Sequence, residues 1–349
     1  MYPGRDMRSF EDGAAVALAA VARGRLAKQV PFDALWCGTT MPMGGMIESI
    51  GSLGMSDEQA WQAVLAEYSS PDVNRLADLA RRRPPIRLLS DVCGGFERSH
   101  RYRSVLQRRG LRYELRMALV HQGVCWGYLV LLRCEGTGEF DPDEVATVRA
   151  LGAELTQELM SRALRAPLSL LPADRVGVVT IDEGSRGIEA INEYGRELIG
   201  RLGCRPWPGA APLPLALHAL LLRTRGGGLP SAPARRVLVV DERLGWLRID
   251  AVRQTGRDGR PWVTVSVQRA RPLLVAPYLL AARGVSPGAA KVVLRVLRGM
   301  TSAEIAEELR ITPHTVQDHL KPVFAKLSIN SRRQLIGVLF PQLKPSEVS

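Results

Sequence analysis

Apolar and polar positions along the chain mark a series of short elements. An apolar run over 13–30 predicts a helix, and Phe32-Asp33-Ala34-Leu35-Trp36-Cys37 a short strand. Met41-Pro42-Met43-Gly44-Gly45 reads as a turn and 56–69 as a helix. Two strand-like runs, 111–122 and 123–133, meet at Gly123, where a hairpin is predicted. Asp141-Pro142-Asp143-Glu144 opens a helix to about Arg165. Proline and carboxylates suit a first helical turn, and Val145, Val148, Leu151, Leu155 and Leu159 line one face. The order helix, strand, helix, strands, long helix predicts an α+β unit.

Residues 167–172 read as a linker. Beyond it the pattern gives strands at 176–181 and 188–191, a helix capped by Asn192 and running through Leu202, and a Pro/Gly-rich loop over 206–214. After Gly226-Gly227-Gly228 come three strand patterns, 235–241, 245–252 and 261–268. Two strands, a helix and three antiparallel strands predict a second, five-stranded α+β unit.

The period changes for good near residue 285. Ser286-Pro287 starts a helix ending at Gly299, and Thr301-Ser302-Ala303-Glu304 forms a capping box for one ending about Leu309. Arg310-Ile311 is a two-residue turn before a helix opened by Thr312-Pro313. Ser331-Arg332-Arg333-Gln334 reads as a further capping box. Ile305, Leu309, Ile311, Val316 and Leu320 recur at helical spacing across the turn, so the second and third helices share a core and cross steeply. That leaves His314, Thr315, Gln317, Asp318 and Lys321 free for another surface. A helix fits the major groove of double-stranded DNA, where Gln pairs with adenine, Asp accepts from cytosine and Lys donates to guanine. The Thr312 and Thr315 hydroxyls at the helix start suit a phosphate.

Charge supports a polyanionic partner at one end only. The net charge is +12; Lys and Arg outnumber Asp and Glu by 21 to 20 over 1–169, 17 to 10 over 170–283 and 9 to 5 over 284–349. With 349 residues, 46% of them hydrophobic, two or three folded domains are expected. The longest early apolar run, 14–22, is far short of the ~20 residues of a membrane span, so the expectation is a cytoplasmic protein with no membrane association.

Other chemistry is sparse. The five cysteines, at 37, 93, 125, 134 and 204, have no C-x-x-C spacing, and their odd number argues against a disulfide framework. His121 with Cys125 and Cys134 suggests metal ligands only weakly; such residues on strands are usually core, and no metal or cofactor is expected. Trp36, Met41, Met43, Met46, Met55 and Trp61 hint at an apolar pocket for a small-molecule ligand, plain core being their commoner role. No G-x-x-x-x-G-K-[ST], G-x-S-x-G, H-E-x-x-H or kinase catalytic loop occurs, so no enzyme is expected. A signalling enzyme or interaction scaffold with an accessory helix-turn-helix is the alternative reading. The N-terminal third also lacks the βαβ alternation of a receiver domain.

The run "EIAEELRITPHTVQDHLKPVFAKL" followed by "SRRQL" resembles the LuxR-type helix-turn-helix of bacterial transcription regulators over 285–340. The resemblance implies an all-α four-helix domain over 284–342 with the third helix as recognition helix. Gln317, Asp318 and Lys321 would face bases, Thr315 and Lys326 the DNA backbone, and Val316 and His319 would be structural. It implies a homodimer formed through the fourth helix, 331–340. Two positions depart from the family pattern. Ala289 stands where a Glu would complete the first helix's capping box, at a cost of ~1 kcal/mol. Pro322 falls inside the recognition helix, where a proline costs ~3 kcal/mol or kinks the helix. Residues 11–165, through "GYLVLL" and the Asp-Pro-Asp-Glu helix start, resemble a GAF domain. Residues 172–270, through "GVVTIDEGSRGIEAINEYGRELI", resemble a PAS domain. Together these imply a one-component, sequence-specific transcription regulator whose sensor domains control its helix-turn-helix.

Overall fold

The hairpin predicted at Gly123 is the centre of the first sheet. The computed structural model describes residues 8–9, 13–69, 72–168, 171–172, 174–184, 187–203, 205–207, 210–225 and 234–341. Gln122 and Gly123 both have positive φ, 48° and 79°, the left-handed pair that lets a two-residue turn follow the twist of its strands. The strands are Arg8–Ser9 (β1), Ala34–Thr39 (β2), Gly51–Leu53 (β3), Ile86–Leu88 (β4), Leu111–His121 (β5) and Val124–Cys134 (β6). They lie in the order β1-β3-β2-β6-β5-β4, each neighbouring pair antiparallel.

Both faces of this sheet are covered. Leu35, Cys37, Leu129 and Leu131 pack against helices Gly13–Leu26 (α1) and Pro142–Arg165 (α5). Ala34, Trp36, Val130 and Leu132 pack on the other side against Asp57–Ser69 (α2) and Leu76–Leu79 (α3); Gly95–Arg98 (α4) follows. Double coverage explains why "YLVLL" is continuously apolar rather than alternating. The first helix is shorter than its apolar run: it stops at Leu26 because Val30 precedes Pro31, which disfavours helical backbone at the residue before it. At the start of α5, Asp141 accepts from the Asp143 and Glu144 N–H groups, both at 2.9 Å, and Glu144 reaches back to the Asp141 N–H at 3.0 Å.

The second unit has strands Gly177–Asp182 (β7) and Ile188–Ile191 (β8), then helix Glu193–Arg201 (α6), whose Asn192 cap accepts from the Gly195 N–H at 2.7 Å. Arg205–Trp207 (β9) and Ala210–Leu213 (β10) pair as a small ribbon where a loop was expected. A two-stranded ribbon has only edges, so Pro206 and Pro212 do not interrupt a ladder. Helix Leu215–Arg225 (α7) was not anticipated; it lies against α2, and its apolar residues lack a single-face period. Ala234–Asp241 (β11), Gly245–Thr255 (β12) and Pro261–Arg269 (β13) complete a five-stranded sheet in the order β11-β12-β13-β7-β8.

The last unit holds Pro272–Ala282 (α8), Pro287–Leu297 (α9), Ser302–Leu309 (α10), Pro313–Leu327 (α11) and Arg332–Leu339 (α12). α8 is another element the sequence reading lacked. Apolar nearly all round, it lies between α5 and the pair α9 and α12, so one hydrophobic cluster runs from the first sheet through Leu279 and Leu280 to Val316, Leu335 and Phe340. Trp246 on β12 stacks on Tyr278 of α8, centroids 6.2 Å apart, and donates from Nε1 to the Ala163 carbonyl of α5 at 3.2 Å. The first two units also meet through Arg162 and Glu242, 3.0 Å apart, and through the Val240 N–H on Glu48 at 3.0 Å.

Two minor expectations are settled by packing. Trp36, Met55 and Trp61 are buried in the outer core of the first unit, whereas Met41 and Met46 pack into the second unit's core, so these residues do not gather around one pocket. His121 and Cys125 lie at the hairpin tip and Cys134 at its far end, nine residues along β6 or roughly 30 Å away, which rules out a shared metal. Among the described residues no cluster of metal-binding side chains occurs, and no helix is long and apolar enough to cross a membrane.

Candidate nucleic-acid interface

Side-chain caps start three helices of the C-terminal unit, α9, α10 and α11. Ser286 accepts from the Ala289 N–H at 3.3 Å, a cap without its reciprocal partner, as Ala289 dictates. Thr301 and Glu304 form the full box: Glu304 Oε2 accepts from the Thr301 N–H at 2.7 Å and hydroxyl at 2.8 Å. Those two bonds hold the Glu304 carboxyl below its ordinary pKa. The turn is Arg310, left-handed at φ 55°, and Ile311; Thr312 then caps α11 by accepting from the Thr315 N–H at 3.1 Å. Val316, Leu320 and Val323 are buried under α9 and α10. The predicted box at Ser331 does not form: Ser331 makes no side-chain cap, and Gln334 accepts from the Asn330 N–H at 2.8 Å instead. Ser331 enters α12 with an extended backbone, φ −145° and ψ 154°.

α11 presents one polar face. His314, Gln317, Asp318 and Lys321 follow the i, i+3, i+4, i+7 spacing and are all exposed. Asp318, the anionic member, lies 3.0 Å from His314 Nδ1 one turn earlier. Thr312 and Thr315 are at the helix start, their hydroxyls 2.9 Å apart. Lys326 does not join them. It lies about 130° round the helix from the centre of that face, and its Nζ donates to the Gly284 carbonyl at 2.7 Å. Pro322 does not break the helix: α11 continues to Leu327, with the exposed proline leaving the Asp318 carbonyl without its helical donor.

Three features of this region escaped the sequence. Gln317 Nε2 donates to Ser302 Oγ at 2.9 Å. Arg332 donates to the same Oγ and, at 3.3 Å, to the Met300 carbonyl. The tip of the first unit's hairpin packs here too: a Cβ on Gly284 would stand 3.1 Å from Lys326 Nζ and 3.7 Å from His121 Nε2, and one on Gly123 3.8 Å from Pro287 Cγ. Burial first, and then the Lys326 charge, lower the His121 pKa.

Residues 289–339 match the family of bacterial regulatory proteins of the luxR type, and residues 14–159 match the GAF domain. The chain carries a LuxR-family DNA-binding domain behind a GAF domain. The C-terminal domain is thus of a DNA-binding type, and it follows a GAF domain in the same chain. Among solved structures, this chain is similar to Escherichia coli SdiA, at 13% identity and TM-score 0.30, covering 95% of this chain and 93% of that one. SdiA in complex with octanoyl-rac-glycerol gives 12%, 0.34, 94% and 87%. The VqmA–ligand–DNA complex of Vibrio cholerae gives 17%, 0.25, 50% and 88%. No curated protein matches it significantly.

The sensor region supplies two further features. Arg101 is wholly buried, 3.1 Å from Asp72 and 3.0 Å from Glu114, and Arg116 lies 2.8 Å from Glu67. Burial opposes the Arg101 charge, but Glu114, Glu67 and Asp72 outweigh it and raise its pKa. A cleft of about 410 Å³ lies between the first two units, lined in part by Glu48, Arg162, Arg201, Asp241, Glu242 and Arg243.

Proposed function

We propose that this chain is a one-component regulator that binds double-stranded DNA as a homodimer and couples sensor occupancy to operator affinity through the docked hairpin. Its domains are taken as a GAF-like unit over 11–165, a PAS-like unit over 172–270, supported by the five-stranded sheet, and the helix-turn-helix over 284–342. Thr312 and Thr315 meet phosphate, while His314, Gln317, Asp318 and Lys321 face base edges. The observation that carries this reading is that the polar face of α11 is exposed while its other end, at Lys326, is engaged beside the sensor hairpin. β5 bears Glu114 and Arg116 of the buried ionic cluster and ends at His121, so a change in the sensor core has a direct route to α11. The mixed-charge cleft between the sensor units is where a polar small molecule would enter. The homodimer would use Arg333, Gln334 and Gly337, the exposed positions of α12, because Leu335 and Leu339 are committed to the core.

Selection of bound DNA from a random pool with the full-length protein tests this. A defined operator is expected, and Lys321→Ala should relax one of its positions by ~1–3 kcal/mol. Weakening that is equal for all sequences would move Lys321 to a phosphate, and failure to enrich any sequence would refute the reading.

A further inference from the structure

The structure assigns Ser302 and Arg332 a role in base reading: we infer that they are positioning residues that hold the Gln317 carboxamide in the orientation that selects adenine. The inference rests on Gln317 meeting a base, as proposed above.

An exposed glutamine rotates freely about its last torsion and presents either an acceptor or a donor to a groove. Gln317 is exposed, yet its Nε2 is tied to Ser302 Oγ at 2.9 Å, fifteen residues earlier and on another helix. Ser302 is anchored in turn. It begins α10 directly after the Thr301 cap, and its Oγ also receives the Arg332 guanidinium, whose other nitrogen is held by the Met300 carbonyl at 3.3 Å. A side chain of the reading face is thus braced by the starts of α10 and α12.

The brace consumes one of the two hydrogens on Nε2. With the hydrogen anti to Oε1 used in the brace, the other, on the Oε1 side, makes with Oε1 the donor–acceptor pair that complements adenine N7 and the N6 amino group. A carboxamide free to turn over would exchange donor for acceptor and lose that discrimination. Order at this position therefore comes from residues that themselves need not touch a base.

The test is base preference, read by random-pool selection followed by competition binding, for full-length wild type and for Gln317→Ala, Ser302→Ala, Ser302→Thr and Arg332→Lys, each checked for an unchanged melting curve. Ser302→Ala is expected to cut adenine preference about fivefold, the worth of one hydrogen bond, at the same operator position that Gln317→Ala relaxes. Other positions and non-specific affinity should hold, and Ser302→Thr should keep the preference by retaining a hydroxyl. Full preference in Ser302→Ala, alongside a relaxed Gln317→Ala, overturns the positioning role while leaving the regulator reading intact. A Gln317→Ala protein with unaltered preference removes the role as well, and a wild type that selects no sequence removes both. Where Arg332→Lys melts early, Ser302→Ala alone decides, since alanine is well tolerated at a first helical turn.

Discussion

Lys326 Nζ donates to the Gly284 carbonyl at 2.7 Å, joining the C-terminal end of the recognition helix to the turn that follows α8. Gly284 has φ 72°, a conformation that side chains rarely adopt, and a Cβ there would press on Lys326 Nζ at 3.1 Å and touch His121 Nε2 at 3.7 Å. An ammonium held by a carbonyl beside the sensor hairpin is less available to a phosphate, so under the coupling proposed above hairpin docking and a DNA contact by Lys326 would compete. The family resemblance placed Lys326 on the DNA backbone; the fold gives it a second partner.

That competition makes DNA affinity pH-dependent through His121. Docking lowers its pKa, through burial and then through Lys326; released, it returns to about 6.5. Above about pH 6.5 the imidazole is neutral in both states and contributes nothing to the pH dependence. As pH falls below that value the released hairpin takes up a proton that the docked one refuses, so docking weakens until the docked pKa is passed. Affinity for the selected operator, measured at pH 7.5 and 5.5, should rise on acidification more for wild type than for His121→Gln. An identical pH response in the two proteins would exclude this coupling.

Pro322→Ala should stabilise the C-terminal domain. The helix already runs through residue 322, so alanine adds the missing bond to the Asp318 carbonyl without a new backbone path. A gain of ~1–3 kcal/mol is expected, with operator preference unchanged. Thermal melting and competition binding on the same protein provide the check; a loss of stability would mean that the proline ring itself is needed.

Arg101→Leu should unfold the GAF domain first. It removes the cation between Asp72 and Glu114, which the chain buries completely, and breaking a buried pair from one side costs ~3–5 kcal/mol. A denaturant titration should show an earlier first transition in the variant. Coincident transitions for the two proteins would show that the cluster is relaxed or hydrated.

The helix-turn-helix was legible because its signals are local. The Ser286, Thr301 and Thr312 caps, the two-residue turn and the spacing of Val316 and Leu320 lie within a few residues of the groups they bond or pack beside, so the string alone determined four helices and the face carrying His314, Gln317, Asp318 and Lys321. The hairpin at Gly123 and the Asp141 cap were legible for the same reason. The box read at Ser331 has the right residue types, but the hydroxyl makes no cap and Gln334 accepts from the Asn330 N–H instead. α7 and α8 left no amphipathic period, being apolar and covered on most sides. What only tertiary structure decided are pairings across long sequence separations: Arg101 with Glu114 and Asp72, Gln317 with Ser302 and Arg332, and Lys326 with Gly284 beside His121. Each depends on two elements being brought within 4 Å by cores that neither residue belongs to, and no periodicity within either segment encodes that approach.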